Sequence, residues 1–432
     1  MPPSNEEISN MPMGKKLRSM VYVTFLLIGV GLLWPWNCIL SATLFFQNRV
    51  FGGTTLYAKV FTSSMMTVST LSSLLFNVYL ERRQHSYIAR VVRGLVWQTA
   101  AFVLLTLVSA LSQTLWMGLE FLLIMALIAV SAVATAWTQN GIMAVANVFG
   151  PEFSQSVMMG QAVAGVLPSV VLFVVSIGKS DDPDTDQHNL GIYLYFLTTS
   201  LVSVACIWLF FRTQIGDKLR QMTGASSEGA AALPHNDEDN AAAPRIPFSV
   251  LFSKLRFLAL SIITTFVVTL IFPVFAATTF VSRLPLSNAE YIPLVFTVWN
   301  VGDLYGRFIA NWSMFRSPQF TPYKTFMYAV ARLGFIPCFF YYTVRTRRST
   351  GDKSVLVDLG YILLQFLFGL TNGHIISMSF MKVPESLETD QEKEAAGGFT
   401  SIFVSTGLAI GSVISYLFAF MIGGIVSGGE IS

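Results

Sequence analysis

The chain has 432 residues, of which 53% are hydrophobic and 12% charged, against roughly 25% charged in an ordinary soluble domain. A mean hydropathy of +0.60 points the same way and excludes a soluble globular protein, and a net charge of +3 does not point to a nucleic-acid partner. Cys38, Cys206 and Cys338 all sit in apolar runs and read as packing residues rather than a disulfide framework.

Apolar runs of about 20 residues are long enough to cross a bilayer. They recur near 19–43, 57–80, 88–111, 118–148, 153–178, 190–211, 252–281, 289–312, 323–344, 355–381 and 397–427. The predicted architecture is therefore an all-α polytopic membrane protein with about eleven transmembrane helices. The first run is too long for a signal-peptide core and follows Lys15, Lys16 and Arg18, so it reads as the first span. The run at 118–148 exceeds one untilted span, and Glu120 is expected at its outer interface. Between the sixth and seventh runs lies "TQIGDKLRQMTGASSEGAAALPHNDEDNAAAPRIP", rich in Ala, Ser, Asp and Pro and without apolar periodicity. It predicts a disordered linker.

The division is then a cytosolic tail at 1–18, a six-helix bundle at 19–211, a cytosolic linker at 212–250 and a five-helix bundle at 251–432. On this plan Lys and Arg favour the side of the N-terminus roughly two to one, which places that terminus in the cytosol and the C-terminus outside or in a lumen. Two bundles joined by a cytosolic loop suggest a secondary transporter of the major-facilitator kind, with its substrate between the halves. Such an architecture names no substrate. A same-fold transporter of another small polar metabolite fits it equally. A membrane enzyme is disfavoured: Walker, HExxH, GxSxG and CxxC signatures are absent from the sequence.

"FTVWNVGDLYGRFIANW", Phe296–Trp312, carries the strongest chemical signal. Asp303 and Arg307 are four apart and share a helix face, which Asn300 joins. An ionised residue at the bilayer centre costs about 2.5–3.5 kcal/mol even on the insertion scale, and opposite charges on one face can offset that cost by pairing. The pair can lock this helix to its neighbours or offer a polar face to substrate hydroxyls; the spacing allows both. "TAWTQNG" places Gln139 and Asn140 inside a span. The Gln139 amide suits either a nucleobase edge or an interhelical hydrogen bond. "SVMMGQAVAGVLPSVV" combines a stripe of small residues, Gly160, Ala164 and Gly165, with Gln161 and a kinking Pro168. Gly407 and Gly411 make a second close-packing spacing. His374, in "LTNGHIIS", is a proton carrier or a hydrogen-bonded structural histidine. Arg332, in "AVARLGFIP", is expected to pair with an acid or a carbonyl at the cytosolic end of its span.

These segments, in their order, resemble the equilibrative nucleoside transporters. "GLLWPWNCILSAT" looks like that family's Leu-Pro-Trp-Asn element, with Trp34 in place of the usual Leu. "WNVGDLYGR" looks like its Phe-Asn-x-x-Asp-x-x-Gly-Arg element, with Trp299 in place of Phe. "TQNG", "MMGQAVAG", "IFP", "ARLGFIP" and "TNGH" resemble further spans. The resemblance covers nearly the whole chain. It implies facilitated or proton-influenced transport of nucleosides, such as adenosine and uridine, and of nucleobases too, by a monomer with no cofactor and no bound metal. It implies that Trp36 borders the base and Gln139 bonds its edge. Asp303 and Arg307 would bind the ribose hydroxyls, with Asn37 and Asn300 supporting the motif. Gln161 and His374 complete the candidate set. The short N-terminus is similar to fungal or intracellular members, which implies a vacuolar or lysosomal membrane, the plasma membrane being the alternative. Pro35 is expected to open the first helix where Trp36 and Asn37 face a wet cavity.

Overall fold

The computed structural model describes residues 15–111, 116–177, 185–222, 245–317, 319–347 and 354–429. Eleven long helical rods account for most of them. They are α1 Lys15–Ser41, α2 Leu56–Glu81, α3 Tyr87–Ala110, α4 Met117–Phe149, α5 Pro151–Ile177 and α6 Thr185–Arg212. Then follow α7 Phe248–Thr278, α8 Asn288–Ile309 and α9, which is Pro322–Ala331 carried through a tight turn at Arg332–Gly334 into Phe335–Arg347. α10 is Val355–Glu385 and α11 is Asp390–Gly429.

Among the described residues nine rods are long and apolar enough to cross a membrane, and α2 and α8 fall outside that set. Both are more polar for a visible reason. α2 carries a run of Ser and Thr, and α8 carries Asn300, Asp303 and Arg307. Both lie where one half of the molecule meets the other: Asn300, Asp303 and Arg307 find protein partners there, and Ser73 of α2 meets Ser405 of α11. The outer faces are the reverse. Leu75, Leu122, Val171, Leu201, Leu363 and Phe420 are exposed, as a surface solvated by lipid requires.

The first six rods pack mainly on one another, through α1 with α5 and α6 and α3 with α4 and α6. The last five do the same, through α8 with α10 and α7 with α9, α10 and α11. The halves meet along two seams, α5 against α8 and α10, and α11 against α2 and α4. At the start of α8, Ser287 and Glu290 form a capping box, which satisfies N–H groups that the helix leaves orphaned. Asp358 of α10 accepts three backbone N–H bonds, from Ser282, Arg283 and Leu284, at 2.7, 2.7 and 2.9 Å. These pin the α7–α8 connection to the head of α10 and fix how those two rods run past each other.

Three expectations change. α1 runs unbroken through Pro35, and two residues on, the Asn37 amide bridges to the Leu33 carbonyl and, at 2.9 Å, to the Ala164 carbonyl of α5. The segment 212–250 holds a helix, Ile215–Met222, whose Ile215 and Leu219 turn into the core; 223–244 lies outside the described residues. Glu120 sits in the first turn of α4 and is buried there. Cys38 and Cys206 pack inside, but Cys338 is exposed.

Candidate functional site

The site is built on the crossing of α8 and α10. Gly302 and Gly306 on α8 face Gly369 and Gly373 on α10, each pair four residues apart. A Cβ at Gly306 would land on the Leu370 carbonyl, and one at Gly373 on the Asp303 carbonyl. Small residues at this spacing let two backbones approach closely in a membrane protein. That approach brings polar side chains from separate helices within bonding distance.

Asp303 and Arg307 form the buried centre, 5% and 7% exposed. Arg307 Nε donates to Asp303 Oδ2 at 2.8 Å. Asn372 Nδ2 of α10 donates to Asp303 Oδ1 at 2.6 Å, so both carboxylate oxygens have a donor. Arg307 Nη1 crosses to the other half and donates to the Met158 carbonyl of α5 at 2.6 Å. Gln155 of α5 returns the contact, donating to the Arg307 backbone carbonyl at 2.9 Å. Each carboxylate oxygen thus has one donor from the C-terminal half, and Arg307 latches that half to α5. Asn300 spends its amide on the Phe296 carbonyl at 2.9 Å, and its Oδ1 fits the space left by Gly165 of α5. Higher on the same seam, the Thr297 hydroxyl donates to the Ser169 carbonyl.

The N-terminal half contributes differently. Trp36, Gln139 and Gln161 are each half-buried and have no hydrogen-bond partner among the described residues. Trp36 leans on the apolar cluster of α1, α2 and α4. Asn140, the neighbour of Gln139, is committed instead: it accepts from Arg90 Nη1 under the open face of Gly398. Asn37 is a staple between α1 and α5, as above.

His374 is not brought to the ion pair. Its ring stands edge-on to Phe315 at 4.3 Å and near Tyr328 at 5.7 Å, in an apolar corner with Met378 and Met381. Its Nε2 has no hydrogen-bond partner among the described residues. Arg332 is 1% exposed and lies at the middle of its span rather than at an end. It finds carbonyls, as expected, at Thr265 and Phe368, and stacks over the Phe368 ring at 4.4 Å.

The motif reading found the acid and the base but missed Asn372, Gln155 and Thr269 of α7, whose hydroxyl lies 2.5 Å from Asn372 Oδ1. The signal for Asn372 was present in the glycines at 302, 306, 369 and 373, whose equal spacing foretells a close crossing. Gln155 had no such signal, because its partner is a backbone carbonyl.

Two kinds of similarity complete the picture. The family model described as nucleoside transporter matches residues 125–420. The chain is 51% identical to nucleoside transporter FUN26 of Saccharomyces cerevisiae, over 98% of this chain and 88% of that one. It is 24% identical to equilibrative nucleoside transporter 2 of Homo sapiens, over 92% and 96%. Among solved structures, the major-facilitator proton:xylose symporter XylE is similar with a TM-score of 0.63 at 12% identity, covering 94% of this chain and 89% of that one. That last likeness speaks for the fold alone: all-α, polytopic and major-facilitator-like. The relatives are transporters and not enzymes. On the matched family and the near-complete coverage of its relatives, this chain belongs to the nucleoside transporter family, and its function is the passage of nucleosides across a membrane.

Proposed function

We propose that nucleosides bind between the two halves, at the level of the Asp303–Arg307 pair, and cross by alternating access. The halves, 19–211 and 251–432, rock about that level. Asp303 and Arg307 take the ribose hydroxyls, Gln139 takes the edge of the base, and Trp36 offers it an aromatic face. Asn37 and Asn300 hold the helices that carry these groups.

The observation that carries this reading is the Arg307 bridge to Met158. It ties the buried ion pair to the seam between the halves, where a substrate must act if it is to couple binding to motion. The N-terminal half, by contrast, offers amides with nothing to bond to, as a base of variable identity requires.

The seams support a state shut on the side of the N-terminus. There Arg307 meets α5, and the Asn147 amide of α4 donates to the Lys393 carbonyl of α11 at 3.1 Å. Gly397 sits on Ala144, with no room for a side chain. Trp36 lies near the opposite end of α1. With the N-terminus in the cytosol, this state opens outward or to a lumen. We place the protein in a vacuolar or lysosomal membrane, or else the plasma membrane, as a monomer that moves adenosine and uridine down their gradients.

Liposomes holding the purified protein test this reading. Saturable uptake of labelled uridine, blocked by unlabelled adenosine and unchanged by an inward proton gradient, is expected. Uptake blocked by sugars or amino acids but not by nucleosides would overturn it.

A further inference from the structure

Asp303 has hydrogen-bond donors on both oxygens, and the donor on Oδ1 is itself held. Asn372 Oδ1 lies 2.5 Å from the Thr269 hydroxyl of α7. That hydroxyl also lies 2.7 Å from the Thr265 carbonyl, and it has one proton to give. An ionised carboxylate only accepts, so the group 2.6 Å from Asp303 Oδ1 must be the amide NH2 of Asn372. Its carbonyl then faces Thr269, which must turn its proton toward Asn372 and away from Thr265. The Thr265 carbonyl is compensated from the other side by Arg332 Nη1, at 3.3 Å.

A directed chain results. Arg332 occupies Thr265, Thr269 donates to Asn372, Asn372 donates to Asp303, and Arg307 closes it from the far side. Besides Arg307 on its own helix, the charged group whose field reaches Asp303 is Arg332 on α9. The groups that reach this cluster from α5 and α7, Gln155, the Met158 carbonyl and Thr269, are neutral. Each carboxylate oxygen keeps one free lone pair once its donor is in place. Two fixed acceptors side by side match the two adjacent hydroxyls of a ribose.

We propose that Asn372, oriented by Thr269, is a positioning residue that fixes Asp303 for recognition of the 2′,3′-diol. This rests on the reading of Asp303 as the ribose-binding group.

The test is the uptake of uridine and of 2′,3′-dideoxyuridine by liposomes holding the full-length protein, with KM and maximal rate measured separately. Asp303→Asn is the reference: if it does not reduce the preference for uridine over the dideoxy compound, the ribose reading itself fails. Given that it does, Thr269→Val and Thr269→Ser decide the positioning role. Valine keeps the shape and loses the hydroxyl; serine keeps the hydroxyl and loses a methyl. The chain predicts that Thr269→Val raises the KM for uridine about tenfold, the worth of one charge-linked hydrogen bond, and leaves the KM for dideoxyuridine unchanged. Thr269→Ser keeps the wild-type preference, and Asn372→Leu behaves as Thr269→Val or worse. If Thr269 serves only packing, the order inverts, with valine tolerated and serine impaired for both substrates alike. That inversion, or equal losses for both substrates in Asn372→Leu, overturns the proposal.

Discussion

The two halves of this transporter present opposite kinds of polar surface to the space between them. The C-terminal half presents an acid and a base, each below a tenth exposed, with donors on both carboxylate oxygens. The N-terminal half presents Trp36, Gln139 and Gln161, half-exposed and unpartnered. The difference follows from what burial costs. An ion inside a membrane costs several kcal/mol and is tolerated when saturated. A neutral amide lining a wet cavity costs little, and a hydrogen bond it makes is worth about 1 kcal/mol. Fixed groups suit the ribose, the same in every ribonucleoside, and free amides suit a base that varies.

Breaking the C-terminal side should therefore have the largest effect. Asp303→Ala leaves Arg307 buried and unpaired, a loss on the order of 3–5 kcal/mol. Uptake should fall at least about a hundredfold, with protein still recovered from the membrane fraction; full uptake would remove Asp303 from the site. Next comes Gly373→Ala, whose methyl meets the Asp303 carbonyl and pushes α8 from α10. Overpacking of this kind costs about 1–3 kcal/mol, so thermal stability and uptake should fall together. Wild-type melting with the alanine present would show that the crossing is looser than described.

The N-terminal side should respond differently. Gln139→Leu should raise KM by about tenfold or less and leave the melting temperature in place, since the amide bonds nothing among the described residues. A stability loss would mean that Gln139 is structural. The smallest effect belongs to His374→Phe. The ring sits among Phe315, Tyr328 and methionines, away from the ion pair. Uridine uptake and its response to a proton gradient should both be unchanged, and a lost gradient response would return His374 to the site.

Much of this was legible in the sequence because a bilayer is a strict solvent. Among the described residues nine of the eleven rods are long apolar runs, and even the more polar α2 and α8 keep enough apolar residues for their positions to be read. Asp303 and Arg307 stood out because charges in such runs are costly and four residues put them on one face. The groups around them were harder to see. Asn372 reaches Asp303 only because two glycine-spaced helices cross, and Gln155 bonds a backbone carbonyl that no side-chain pattern announces. Pro35 misled for a related reason: a proline predicts a break, but Asn37 ties the same turn to α5 and the helix continues. The helix at Ile215–Met222 was hidden by its polar setting, though Ile215 and Leu219, four apart, supply its packing face.

The measurement that tests the account most directly is uptake of labelled uridine into liposomes by the wild-type protein and by Asp303→Asn, side by side. The account predicts saturable wild-type uptake that adenosine blocks, and a variant that folds, binds weakly and scarcely distinguishes uridine from its 2′,3′-dideoxy form. Equal transport and equal discrimination by the two proteins would contradict it.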